Sequence, residues 1–159
     1  MGLFSRRRVR AVDSDTFTIR LDDTERAVLS DVCEQLRVAI EHDDATPALR
    51  RLFPMAHASD AEQEAQYQEM VHDDLRTKRL ADLTTLIDGA QATQLDREAL
   101  EQWMTAINAV RLVFGTTLDV GEEEPDALDP EDPETPALIV YHFLGALLQD
   151  IVEALGETL

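Results

Sequence analysis

The sequence predicts a mainly α domain of the α+β kind, with a four-helix core, a short capping helix and an N-terminal β-hairpin. Three observations carry this. From Asp22 onward the apolar residues recur with the period of an α-helix. Helix-start signals (a capping box, or a capping residue followed by proline) stand at the head of most of those stretches. Residues 6–20 break the pattern with a run of β-formers. With 159 residues and 44% hydrophobic side chains, the chain is one ordinary domain, 1–159, able to bury a core. Aromatic residues are 5%, so that core is aliphatic.

In RRRVRAVDSDTFTIR (6–20), Val9, Val12, Phe17 and Ile19 favour strands and Asp13-Ser14-Asp15 supplies the turn between them. Arg6, Arg7, Arg8 and Arg10 form a candidate anion-binding run. The competing readings are a nucleic-acid arm and solvated strand faces that partly neutralise an acidic body.

Asp22 and Glu25 match a capping box that opens a helix. Val28, Leu29, Val32, Leu36, Val38 and Ile40 give it an apolar side until it fades near 41–44. Cys33, the single cysteine, reads as a small buried apolar residue. In TPALRRLFP (46–54), Thr46 caps, Pro47 occupies the first turn and Pro54 ends a short helix whose Leu49, Leu52 and Phe53 plug the bundle end. Ser59 and Glu62 open a long helix to about Ile87. Asp74 and Lys78 lie within its apolar stripe, spaced as a favourable helical ion pair.

The stretch from Leu95 to Leu118 has the clearest punctuation. Asp96 is a good N-cap, and Leu95 with Leu100 makes a hydrophobic staple. At about 100° per residue, Leu100, Trp103, Met104, Ile107, Val110 and Phe114 share one face, and Gly115 is placed to close the helix. Arg111 projects from the middle of that face, with Asn108 at its border. Three readings of Arg111 stand: a stem laid along the core with its head in water, an internal ion pair, or a ligand-binding arginine. The expectation is that Asp74 meets Arg111 across the helix interface, so that Asp74, Lys78, Asn108 and Arg111 form a polar cluster.

Residues 119–136, DVGEEEPDALDPEDPETP, hold four of the six prolines and nine carboxylates and read as a mobile acidic loop. Thr135 and Pro136 start a final helix that is apolar almost all round. It should be the most enclosed helix or meet a second subunit. Gly145 in its interior implies a close approach there, and His142 and Gln149 are its polar exceptions.

Thirty-three acidic against 14 basic residues give a net charge of −19, which repels phosphate backbones and anionic lipid. No uninterrupted apolar run reaches the roughly 18 residues of a membrane span, and no apolar stretch follows the arginine cluster as a secretory leader requires. A cytoplasmic location follows, with neither nucleic acid nor membrane expected as partner. Glu69 and His72 are a lone Glu-x-x-His pair without the second copy a di-iron bundle needs. No phosphate loop, zinc cluster or nucleophile signature is present, so no metal and no cofactor are expected.

RLFP at 51–54, DLRTK at 74–78, and the run that includes Leu95, Asp96, Trp103, Asn108, Arg111 and Gly115 combine with the final aromatic-Leu-Gly…Gln helix. Over most of 7–155 they make the chain resemble an uncharacterised domain-of-unknown-function family of actinobacteria. The resemblance implies a gene neighbourhood beside the Clp protease adaptor, and some members carry a transcriptional-regulator label. Members tend to have an acid where this chain has Ala109 and a basic residue where it has Thr117, so a shared site using those positions is not carried over. The reading that results is a non-enzymatic protein-binding regulator, linked to regulated proteolysis and homodimeric, its protein partner unidentified. Its rivals are a DNA-binding transcriptional regulator and an enzyme with a site near Asp73, Asp74 and Arg111.

Overall fold

The computed structural model describes residues 7–42, 61–117, 131 and 135–158, with side chains for all of these except 61–72 and 117. Arg6, the capping helix expected over 46–54, the Glu69/His72 side chains and nearly all of the acidic segment 119–136 lie outside the described residues.

Strands β1 (Val9–Ala11) and β2 (Thr16–Ile19) pair antiparallel, with Val9 opposite Ile19 and Ala11 opposite Phe17. This puts Val9, Phe17 and Ile19 on the buried face and leaves Arg10 exposed, as a period of two requires. Val12 belongs to the turn and is 59% exposed, not a strand residue. Within that turn Val12 N–H donates to Thr16 O at 2.8 Å, and Asp15 N–H donates to the Asp13 carboxylate at 2.9 Å, which holds Asp13 below the usual carboxylate range. A third strand, β3 (Gln94–Asp96), extends the hairpin, with Phe17 opposite Leu95. Its sequence, Gln-Leu-Asp, carries no strand preference; the ladder to β2 and its place between two helices create it.

Helix α1 (Asp23–Glu41) begins at the capping box expected for it: Glu25 N–H donates to Asp22 at 2.7 Å and Asp22 N–H to Glu25 at 3.0 Å. Leu29, Val32, Cys33, Leu36 and Ile40 are buried, whereas Val38 is exposed. Burial pushes the Cys33 thiol up to about 12, so it is an apolar core residue and not a nucleophile. At the far end Arg76 donates to the carbonyls of Ile40 and Glu41, two of the groups a helix C-terminus leaves without partners.

Helix α2 (Ala61–Asp88) leads through Gly89–Thr93 into β3 and then α3 (Arg97–Thr117). Asp96 caps α3 by accepting from Ala99 N–H at 2.8 Å. Leu100, Trp103, Ala106, Ile107, Ala109 and Val110 are buried on its core face. Gly115 does not end the helix, which continues to Thr117; a Cβ at Gly115 would meet the Tyr141 ring at 3.5 Å, an ordinary van der Waals contact.

Helix α4 (Thr135–Gly156) packs on α3 and β1. Enclosure on all sides is not what it finds: Leu144, Leu147, Ile151 and Ala154 are buried, while Ile139 and Val152 are exposed. It is also long and apolar enough to cross a membrane by length and composition, although its own Asp150 accepts from Arg8 N–H at 2.9 Å and so joins it to the sheet. Helix α3 is the hub, with α1, α2 and α4 all packed on it. Among the described residues α2 and α4 make no extensive contact with each other. The four helices therefore leave a groove between α2 and α4, floored by α3.

Candidate functional site

Two adjoining clefts share Val152 on the α4 wall; one takes its lining from α2, α3 and α4, the other from α4 and Arg111 of α3. Along that wall Tyr141, Gly145, Leu148 and Val152 succeed each other at helical spacing. On the floor, Glu101, Met104, Asn108, Arg111 and Gly115 do the same.

The first cleft, about 690 Å³, is built around Arg111, His142, Gly145 and Gln149. Two large-on-small contacts join α3 to α4 here. Tyr141 lies against Gly115, and the Arg111 guanidinium lies against Gly145, where a Cβ would stand 3.2 Å from Nη2. The same guanidinium is 4.7 Å from the centre of the Tyr141 ring, a cation–π contact. His142 meets the edge of that ring, with centroids 5.7 Å apart. Arg111 Nε is buried without a hydrogen-bond partner.

The second cleft, about 680 Å³, lies toward the end of α4 and the start of α3. Met104, Val152 and Leu155 give it apolar walls, Glu98 and Glu101 stand on it, and Asp82 comes in from α2. Asp82 is 4% exposed, and its Oδ2 is buried without a hydrogen-bond partner. Burial pushes its carboxyl above the ordinary aspartate range; the Lys78 and Arg79 charges draw it partway back. Arg97 also lines this cleft and is 3.8 Å from the Glu101 carboxylate; it donates to Ser14 O at 2.9 Å and to Thr158 Oγ1, and stacks 5.5 Å from the Phe17 ring.

The expected ion pair between Asp74 and Arg111 does not form. Asp74 is exposed, and among the described residues no carboxylate lies within ion-pair distance of Arg111. Lys78 and Asn108 are exposed as well; Lys78 reaches the second cleft, and Asn108 occupies the step between Met104 and Arg111. The four residues are thus not a knot of bonded groups: Lys78 lines the second cleft and Arg111 the first, while Asp74 and Asn108 line neither. Asp73 is exposed too, and neither of these clefts brings Asp73 or Asp74 together with Arg111.

Internal acids engage the N-terminal arginines proposed as an anion site. Arg7 pairs with Glu157 and approaches Glu153 at 4.0 Å. Arg8 pairs with Glu25 at 2.6 Å and stacks 5.3 Å from the Phe143 ring. Arg10 is exposed, and Arg6 lies outside the described residues. Arg7 and Arg8 tie the strand to α1 and α4, and of the described arginines in the run only Arg10 is left exposed.

Two residues escaped the sequence reading. Arg26 lies 7% exposed in the corner between α1, β2 and the α2–β3 turn. It donates to the carbonyls of Leu21, Ala90, Ala92 and Ile19. Its signal was available, since 26, 29, 33, 36 and 40 are one helical stripe. Asp82, beside buried Leu83 and Leu86, carried no comparable signal, because an acid at the edge of a stripe is ordinary. No curated protein and no solved structure matches the chain. The family model of a domain of unknown function, DUF2017, matches residues 3–155, and the chain belongs to that family.

Proposed function

We propose that this domain is a non-enzymatic protein-binding regulator that holds its partner in the groove between α2 and α4. One observation carries the reading: the groove sets an exposed apolar side chain, Val152 at 51%, beside buried charged groups with no internal hydrogen-bond partner, Arg111 Nε and Asp82 Oδ2. Apolar surface beside unpartnered charge is what a protein interface uses for affinity and for choice of partner. The resemblance to a family encoded beside the Clp adaptor supports a partner from the regulated-proteolysis machinery of the cytoplasm.

Affinity capture with the wild-type chain and Val152→Glu side by side tests this. A protein recovered in stoichiometric amount by the wild type and lost with Val152→Glu, both equally helical by circular dichroism, is the expected result. Recovery of nothing, or of the same protein by both, overturns it.

A homodimer is the second reading, favoured by Ile139, 54% exposed on the other flank of α4, and by the exposed Ala146 between the two flanks. Sedimentation at micromolar concentration should show a dimer that Ile139→Glu converts to monomer; a monomeric wild type ends the idea.

A further inference from the structure

The second cleft is unusual in its chemistry. A buried carboxylate without a hydrogen-bond partner is disfavoured, because its lost hydration is not replaced. Elsewhere this chain replaces it: buried Arg26 finds four carbonyls, and the half-buried Arg8 finds Glu25 and the Phe143 ring. Asp82, more buried than Arg26, has no such arrangement, and it lines an open cleft. Glu98 adds negative charge at the rim, while the cleft's cations do not close on Asp82: Arg97 is held by Ser14, Thr158 and, at 3.8 Å, Glu101, and Lys78 is exposed without an ion pair. Met104, Val152 and Leu155 line the approach with apolar surface.

We propose that this cleft receives one cationic side chain, arginine or lysine, from the partner protein, with Asp82 as its buried counter-ion. The methylene stem lies along Met104, Val152 and Leu155 while the charged head reaches Asp82, the division of labour such side chains adopt at apolar surfaces. Glu98 at the rim, with the chain's net −19, draws a basic segment in and raises its rate of encounter. This names the partner's chemistry at the groove already proposed as the binding face, and rests on that reading.

The test uses the full chain and three small probes: Nα-acetyl-arginine amide, Nα-acetyl-lysine amide and the neutral isostere Nα-acetyl-citrulline amide. Each is titrated to tens of millimolar, the range in which a single side chain binds, while the methyl resonances of Val152 and Leu155 are followed by NMR. The cationic probes should shift these resonances saturably and citrulline should not. Asp82→Asn should weaken the cationic probes about tenfold, and Asp31→Asn, an exposed α1 carboxylate outside both clefts, should leave them unchanged. Equal shifts from citrulline, no shifts from any probe, or undiminished binding to Asp82→Asn overturns the cation site. The citrulline arm needs no variant, so the test survives an Asp82→Asn chain that fails to fold. Should the cation site fall while Val152→Glu still abolishes partner capture, the groove reading stands alone; loss of both removes the two together.

Discussion

Arg26 and Arg111 both interrupt the apolar face of a helix, and they end in opposite surroundings. At the corner where α1 meets the sheet and the α2–β3 turn, Arg26 bridges four carbonyls from two stretches of chain, 19–21 and 90–92. In the groove, Arg111 stacks on Tyr141 with its Nε unpartnered. The contrast extends beyond the two side chains. Of the buried side-chain polar atoms without partners among the described residues, two belong to Arg7 and the other four to Arg79, Asp82, Trp103 and Arg111, all on α2 or α3. Arg26 uses its polar group to fix the fold, whereas Asp82 and Arg111 keep theirs unengaged beside open clefts. Stability and binding are therefore expected to respond to different substitutions.

The largest effect belongs to the closed corner. Arg26→Ala leaves several buried carbonyls without donors and a void where the guanidinium lay, and should destabilise the domain by about 3 kcal/mol. Arg26→Lys, which cannot fork toward as many acceptors, should recover only part of that. Urea denaturation reads both. An effect below about 0.5 kcal/mol for Arg26→Ala would mean that the corner is no more closed than the groove.

Asp82→Asn should move stability the other way, by about 1 kcal/mol in favour of the folded state at neutral pH, because it removes a buried charge without a partner. The pH dependence has a definite sign. The folded-state Asp82 carboxyl sits above its ordinary range, so the folded chain keeps the proton longer than the unfolded chain. Asp82 therefore lowers stability as pH rises from the ordinary aspartate range through its raised value. Wild type and Asp82→Asn should have similar stability at the acid side of that window and diverge above it, the variant being the more stable. Divergence in the opposite sense, with the variant weaker at neutral pH, would make Asp82 a structural ion-pair member of the kind Arg26 represents.

Sequence alone carried the helices and their caps, because Asp22, Glu25 and Asp96 act on amides within one turn of themselves. It carried the hairpin for the same reason, its turn being held by Asp13 within a few residues. Strand β3 was not legible, since Gln94–Asp96 becomes a strand through β2, a segment distant in the chain. The arginines show the limit most directly. Both stand in a stripe of apolar residues, and a helical wheel gives the same reading for each. What separates them is which neighbour the fold brings up: backbone carbonyls for Arg26, a tyrosine ring and a glycine for Arg111. Asp74 does not reach Arg111 because a stripe that drifts along α2 does not say which of its residues point at α3. The groove itself depends on α2 and α4 flanking α3 apart from each other, a matter of packing that no single helix encodes.

Arg111→Met, a volume-conserving apolar exchange, tests the open side directly. It removes a cation–π contact and also an unpartnered buried nitrogen, so stability should change by less than about 1 kcal/mol. Asp74→Ala should be near neutral, and the two together should couple by less than about 0.5 kcal/mol in a double-mutant cycle. Coupling of several kcal/mol would restore an internal pair and erase the distinction from Arg26.

The smallest effect probes how firmly Arg111 is seated. Replacing a helix-interior glycine by alanine favours the helix by up to about 1 kcal/mol. At Gly145 the new Cβ would meet Nη2 of Arg111 at 3.2 Å, so the guanidinium must move by a few tenths of an ångström and give up part of its contact with Tyr141. At Gly115 the new Cβ would meet the Tyr141 ring at 3.5 Å, ordinary van der Waals contact, and nothing has to move. Gly115→Ala should therefore stabilise more than Gly145→Ala, by about half a kcal/mol, within the range of a surface cation–π contact, as read by thermal melting. Equal gains at the two sites would mean that the guanidinium swings aside freely, as the end of a side chain with no internal partner can. A net loss at Gly145 would mean that it is held as tightly as Arg26.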